Sequence, residues 1–182
     1  AAAMGGGPAP LSWDEAEAKA DEVLAQMTAE ERRSLMTGIG WQAEAGYMGM
    51  GTMLSGYYMG NTPPIPRLGV PALKLHDAGN GFRNNWAPFW SEAAHGFGST
   101  TCWPSALALA SSWDDGLVGR VAAAIAREFR AKGANVVLGP GAQVHRVARN
   151  GRNFEYISGE DAYLGARLTA AYVEGVQGEG LL

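Results

Sequence analysis

The sequence is poor in several of the features that place a chain in a functional class. Among its 182 residues there is one cysteine, Cys102, so no disulfide can form within the chain. Beside Trp103-Pro104 that thiol is predicted to be buried rather than nucleophilic. Basic residues are outnumbered, 14 Lys+Arg against 18 Asp+Glu, and they form no cluster. Nucleic acid and an anionic membrane surface are therefore excluded as expected partners. No apolar run reaches the roughly 20 residues of a membrane span. The alanine- and glycine-rich start has neither a basic nor an apolar stretch, so it does not read as an intact signal peptide. There is no Asn-x-Ser/Thr acceptor, and no GxGxxG, GxxxxGK[ST] or GxSxG motif. His76, His95 and His145 lack ligand spacing, so each is read as structural, with neither metal nor cofactor expected.

The composition is that of a globular protein, 47% hydrophobic and 18% charged, with enough apolar material for one domain. Residues 1–11 read as a disordered lead. Ser12 with Glu15, and Thr28 with Glu31, have capping-box spacing and predict helices to about Met27 and Gly38. The stretch 38–71, rich in Gly, Met, Tyr and Pro, reads as an irregular connector. Val70–Leu75 is a short strand candidate ending in His76-Asp77, and a tryptophan-rich loop follows. Ser112 with Asp115 opens a helix that carries Leu117, Val121, Ile125 and Phe129 and stops at Gly133. Asn135–Gly139 reads as a fully buried strand, residues 140–157 as a long loop, and Ser158 with Asp161 as the cap of a helix carrying Leu164, Leu168, Tyr172 and Val176. Strand, loop, helix, taken twice, is the pattern of a parallel α/β sheet.

In a β/α barrel the chemistry sits on the loops that leave the C-terminal ends of the strands. Those positions are 76–111 and 139–157, both longer than ordinary connections. The first holds Asp77, then Arg83. An aspartate there either accepts from two neighbouring hydroxyls or caps its own loop. The second holds Arg152 and Glu155. Arg152 either donates to vicinal hydroxyls or braces Glu155, and the two roles are compatible. Trp86, Trp90 and Trp103 offer flat faces to a sugar, although packing is the commoner use of tryptophan.

The motifs together resemble the N-terminal domain of glycoside hydrolase family 3, over residues 12–182. Met27-Thr28-Ala29-Glu30-Glu31 is similar to the family's "MTLEEK", and Ile65-Pro66-Arg67-Leu68-Gly69-Val70-Pro71 to "IPRLGIP". His76-Asp77-Ala78-Gly79-Asn80-Gly81-Phe82-Arg83 stands where the family has "DGPNGVR". Cys102-Trp103-Pro104-Ser105 resembles "CFPS", and Leu138-Gly139-Pro140-Gly141 the "LGPGVNI" strand end. The longest match runs from Gly151-Arg152-Asn153-Phe154-Glu155 to Asp161, like "GGRNFEYFSEDP". Departures are Asp77-Ala78-Gly79 for "DGP" and Arg146-Val147-Ala148 for "RSP".

The resemblance implies the first two βα units of a (β/α)8 TIM-type barrel. It implies a retaining exo-β-glycosidase, a β-glucosidase first, acting on a β-linked oligosaccharide or glycoside, and it favours secretion. Asp77, Arg83, Arg152 and Glu155 become the candidate substrate-binding residues. The family's nucleophile and acid/base are expected beyond Leu182, with the remainder of the barrel and a C-terminal domain, so the 182 residues alone are expected to be inactive. The competing expectation is a non-catalytic sugar-binding or interaction fragment that lacks the nucleophile.

Overall fold

The computed structural model describes residues 11–38, 58, 60–77, 79–83 and 99–182. Residues 1–10 of the expected lead, most of the connector, and Trp86, Trp90 and His95 lie outside them. Helices α1 (Trp13–Gln26) and α2 (Ala29–Thr37) start where the capping boxes place them. In each the cap hydroxyl accepts from the Glu amide and the Glu carboxylate accepts from the cap amide. Neither helix buries a residue, and α2 is tethered through Arg67. The Arg67 guanidinium donates from Nε to Glu31 Oε1 at 2.8 Å and from Nη2 to Gln26 O at 2.9 Å.

Arg67 and the Thr28 amide together hold the Glu31 carboxyl down at about 2. A depressed carboxylate contributes stability above its ordinary 4.5, and that contribution is lost as pH falls from 4.5 toward 2. An NMR titration should place the Glu31 midpoint near 2, and Arg67→Ala should move it back toward 4.5.

The sheet has three strands in the order β1 (Gly60–Asn61), β2 (Lys74–Asp77), β3 (Val136–Leu138). β2 and β3 are parallel, with His76 opposite Val137 and Asp77 opposite Leu138. The short β1 is antiparallel to β2 and was not foreseen. The first strand also begins later than the sequence suggests. Val70 closes a local bridge with Ile65, and Pro71 has no amide for a ladder, so pairing starts at Lys74 and includes Asp77. Asn135 fixes the strand starts: its Oδ1 accepts from the Lys74 amide at 2.6 Å and its Nδ2 donates to Ala72 O at 2.8 Å. On the outer edge of β3, the Leu182 amide donates to Asn135 O and the Val137 amide to Leu182 O, which is the hydrogen-bond pattern of a parallel neighbour.

Helices α3 (Ala106–Ala110), α4 (Asp115–Ala131) and α5 (Ala162–Gln177) complete the described residues. α4 and α5 pack closely because glycine lines their contact. A Cβ on Gly175 would stand 2.5 Å from Gly119 O. The core joins Val118, Ala122, Ile125, Ala126 and Phe129 of α4 with Leu168, Tyr172 and Val176 of α5, and with Val137, Phe82 and Ile157. His76 and Val137 turn into this core, whereas Asp77 and Leu138 occupy the opposite face of the sheet.

Several expectations need correcting. Leu138 is 44% exposed, so β3 is covered on one face only. The caps of α4 and α5 are Asp114 and Asp161, not Ser112 and Ser158. Both serines are engaged elsewhere: Ser112 Oγ donates to Leu109 O at the end of α3, and the buried Ser158 donates to Ala142 O at 2.6 Å. Cys102 is exposed. Its neighbour Trp103 is the residue that turns inward, packing on the core and donating Nε1–H to Glu128 Oε2 at 3.0 Å.

This is a partial α/β barrel: a small open sheet with its parallel pair backed by α4 and α5. Among the described residues no helix is long and apolar enough to cross a membrane.

Candidate active site

Asp77 is the last residue of β2, and the backbone there is held from several sides. Tyr172 of α5 donates its hydroxyl to Gly79 O at 3.0 Å. Asn80 Oδ1 accepts from the Ala106 amide at the start of α3. Gly81 has φ +119°, and a Cβ there would stand 2.5 Å from Trp103 Cδ1, so the turn requires glycine. This tight path folds Arg83 back onto the strand end, where its Nη1 lies 3.3 Å from Asp77 Oδ2.

The second loop is built just as locally. Gly141 forms a parallel bridge to Tyr156, and the Ile157 amide donates to Gly141 O at 2.8 Å. The short 3-10 turn Asn153–Glu155 then places Glu155 beside Arg152. Arg152 Nε donates to Glu155 Oε1 at 2.7 Å and Nη2 to Oε2 at 2.8 Å, a two-pronged pair. Glu155 raises the guanidinium pKa, and the guanidinium lowers the Glu155 carboxyl. The side chains are unequally covered, Arg152 being 66% exposed and Glu155 20%.

The loops bring Asp77, Arg83, Arg152 and Glu155 to one pocket of about 160 Å³, together with Asn80 and Tyr156. The fields cross it, since Asp77 acts on Arg152 and Arg83 on Glu155. Each carboxylate is thus paired with a guanidinium. Such an arrangement presents fixed acceptors and donors to a neutral polyol and leaves no unpaired charge among the four. Asn80 and Tyr156 were not singled out as candidates in the sequence; a polar residue in a glycine-rich turn after a strand is the signal Asn80 offered. Of the histidines, His76 is buried in the core and His145 lines a neighbouring cavity of about 490 Å³ that shares Tyr156. Among the described residues no His, Cys, Asp and Glu side chains converge as a metal site.

The pocket of paired acids and arginines lies at the strand ends of a partial β/α barrel, and comparison with known proteins gives the family. Residues 90–182 match the glycosyl hydrolase family 3 N terminal domain. The chain belongs to that family. It is 36% identical over 160 residues to thermostable beta-glucosidase B of Acetivibrio thermocellus, covering 88% of this chain and 19% of that protein. A beta-glucosidase of Rhizobium radiobacter is 37% identical over 161 residues, covering 88% of this chain and 17% of that protein. The chain therefore spans about a fifth of the length of the curated relatives it matches. Among solved structures, beta-glucosidase 3B from Thermotoga neapolitana in complex with alpha-D-glucose aligns with TM-score 0.70 at 36% identity, covering 90% of this chain and 22% of that one.

Proposed function

We propose that these residues form part of the −1 sugar pocket of a retaining, exo-acting β-glycosidase, a β-glucosidase that releases terminal non-reducing β-D-glucose. The single observation that carries the reading is the meeting of Asp77, Arg83, Arg152 and Glu155 in one small pocket at the strand ends. The space is on the scale of one sugar ring rather than an oligosaccharide, which suits removal of a terminal residue. Asp77 accepts hydrogen bonds from ring hydroxyls, and Arg83 and Arg152 donate to them. Glu155 keeps the Arg152 fork turned into the pocket. The relatives' names and the glucose-bound neighbour support glucose as the sugar.

Retaining hydrolysis proceeds by double displacement. A carboxylate attacks the anomeric carbon while an acid protonates the leaving oxygen, and water then cleaves the glycosyl-enzyme ester with the acid acting as base. That chemistry requires two carboxyl groups roughly 5–5.5 Å apart. Asp77 and Glu155 are each held by an arginine, which favours binding over attack. The family resemblance implies that the nucleophile and the acid/base stand on other residues, and the 182 residues alone are inactive in this account. The same pairing also favours the second reading, a sugar-binding module without catalysis.

An aryl β-glucoside assay on the complete natural polypeptide, beside the 182-residue chain, separates the readings. The β-glucosidase account expects turnover by the former and none by the latter. Absence of turnover by the complete protein, with glucose binding retained, would favour the binding module.

A further inference from the structure

His76 has no part in the chemistry described above, yet it is completely buried directly behind the pocket. Its ring lies nearly parallel to Phe82, 4.1 Å between centroids, and meets Tyr58 and Phe129 edge-on at 6.0 Å. Nε2 lies 2.7 Å from the backbone carbonyl oxygen of Arg83. A carbonyl only accepts, so Nε2 carries a proton and donates it. Among the described residues the buried Nδ1 has no partner. Along the chain His76 precedes Asp77, and the carbonyl it holds belongs to Arg83, so one ring ties together both ends of the turn that presents the Asp77–Arg83 pair.

We propose that His76 is a positioning residue for sugar binding: its Nε2–H clamps the Arg83 carbonyl and so sets the Arg83 guanidinium over Asp77 at the pocket floor. The inference rests on the sugar-pocket reading. The cage around the clamp favours the neutral ring. A second proton on Nδ1 would place a charged N–H against aromatic rings with no acceptor. Burial accordingly pushes the His76 pKa below its ordinary 6.5, the Arg83 carbonyl and Asp77 pull it up, and the Arg83 charge pushes it down. Among the described residues, charged or titratable groups near the cage include Tyr58, Lys74 over the Tyr58 ring at 5.7 Å, and Lys132 over the Phe82 ring at 5.6 Å. A depressed histidine contributes stability that is lost as pH falls below 6.5, because the unfolded ring then takes up protons that the folded one refuses.

The test compares wild type, His76→Gln, His76→Leu and Arg152→Ala in the complete natural polypeptide, using an aryl β-glucoside. Glutamine keeps an N–H donor at about the reach of Nε2, and leucine does not. His76→Leu should raise KM about tenfold while kcat stays within about threefold, and His76→Gln should recover most of the loss. Because the folded ring stays neutral at pH 6.5, wild-type KM should hold there and rise only at lower pH, where the depressed His76 ring takes up a proton, and this bend should be absent from His76→Gln. Imidazole NMR of wild type in the complete natural polypeptide supplies a readout that does not depend on any variant folding. It should show a neutral Nε2–H ring at pH 6.5. A Nδ1–H ring there, or an unchanged KM and pH profile in His76→Leu while Arg152→Ala loses affinity, overturns the clamp and leaves the sugar pocket standing. If wild type neither binds nor turns over glucosides, the sugar reading falls and the clamp's proposed purpose falls with it.

Discussion

Replacing Arg152 with alanine should lower kcat/KM for an aryl β-glucoside by about 100-fold in the complete protein. A hydrogen bond from a charged group contributes about 1.5–3 kcal/mol, and 1.4 kcal/mol is tenfold, so the loss of one or two bonds to sugar hydroxyls spans that range. The side chain is two-thirds exposed in the free pocket, so its contribution to folding is small and the loss should fall on binding. Lysine should not rescue, because the pairing with Glu155 uses two prongs and an ammonium offers no planar fork. Glu155→Gln should weaken binding less, since it leaves the guanidinium in place and frees it to move. Arg127→Ala is the control: it breaks a surface pair with Glu179, 2.6 Å long, and should leave kinetics unchanged. Steady-state kinetics with melting curves on the same samples checks the set. Equal losses in the Arg152 and Arg127 variants would contradict the pocket.

Phe129→Ala carries the largest expected effect on folding. Phe129 is completely buried in α4, meets Phe82 edge-on at 5.2 Å, and packs against the His76 ring. Truncating a buried phenylalanine costs about 3–5 kcal/mol, against a total of about 5–15 kcal/mol for a domain. The 182-residue chain has little reserve to meet that loss. Leu138, Val147 and Phe154 are 44%, 59% and 49% exposed, and among the described residues β3 meets only Leu182 on its outer edge. The wild-type chain should therefore bind a hydrophobic dye and melt broadly, and Phe129→Ala should already have lost most of its folded signal at 25 °C, as followed by circular dichroism. A sharp melt of the wild-type chain without dye binding would contradict the account of its exposed sheet face.

The parts of the fold legible in the sequence are those fixed by a few neighbouring residues. The capping boxes at Ser12 and Thr28 are closed within three residues, and the structure reproduces both. The period of α4 ran through Ile125 and Phe129, which are buried, but small residues shifted its inner face: Val118 and Ala122 are buried where Leu117 and Val121 were expected to lead. Signals that depend on distant partners were misread. Ser112 and Ser158 look like caps until their hydroxyls are seen bonded to Leu109 and Ala142. β1 has no apolar pattern, because a two-residue strand is made by its pairing with Lys74 and Leu75. α3 went unforeseen inside the first long loop, its Ser105 cap and five residues being too short for a periodic pattern. The candidate site was more legible than the fold around it, since strand ends and long loops marked where Asp77 and Arg152 had to be. Their convergence needed coordinates, as did the role of His76, whose partner is a backbone carbonyl and leaves no trace in residue types.

The central claim is that Asp77 and Arg152 grip the same sugar ring. A crystal structure of the complete protein with glucose tests it most directly. The account expects one ring with hydroxyls within about 3.2 Å of both the Asp77 carboxylate and the Arg152 guanidinium. Glucose bound elsewhere, or touching one of these groups with the other turned away, would contradict it.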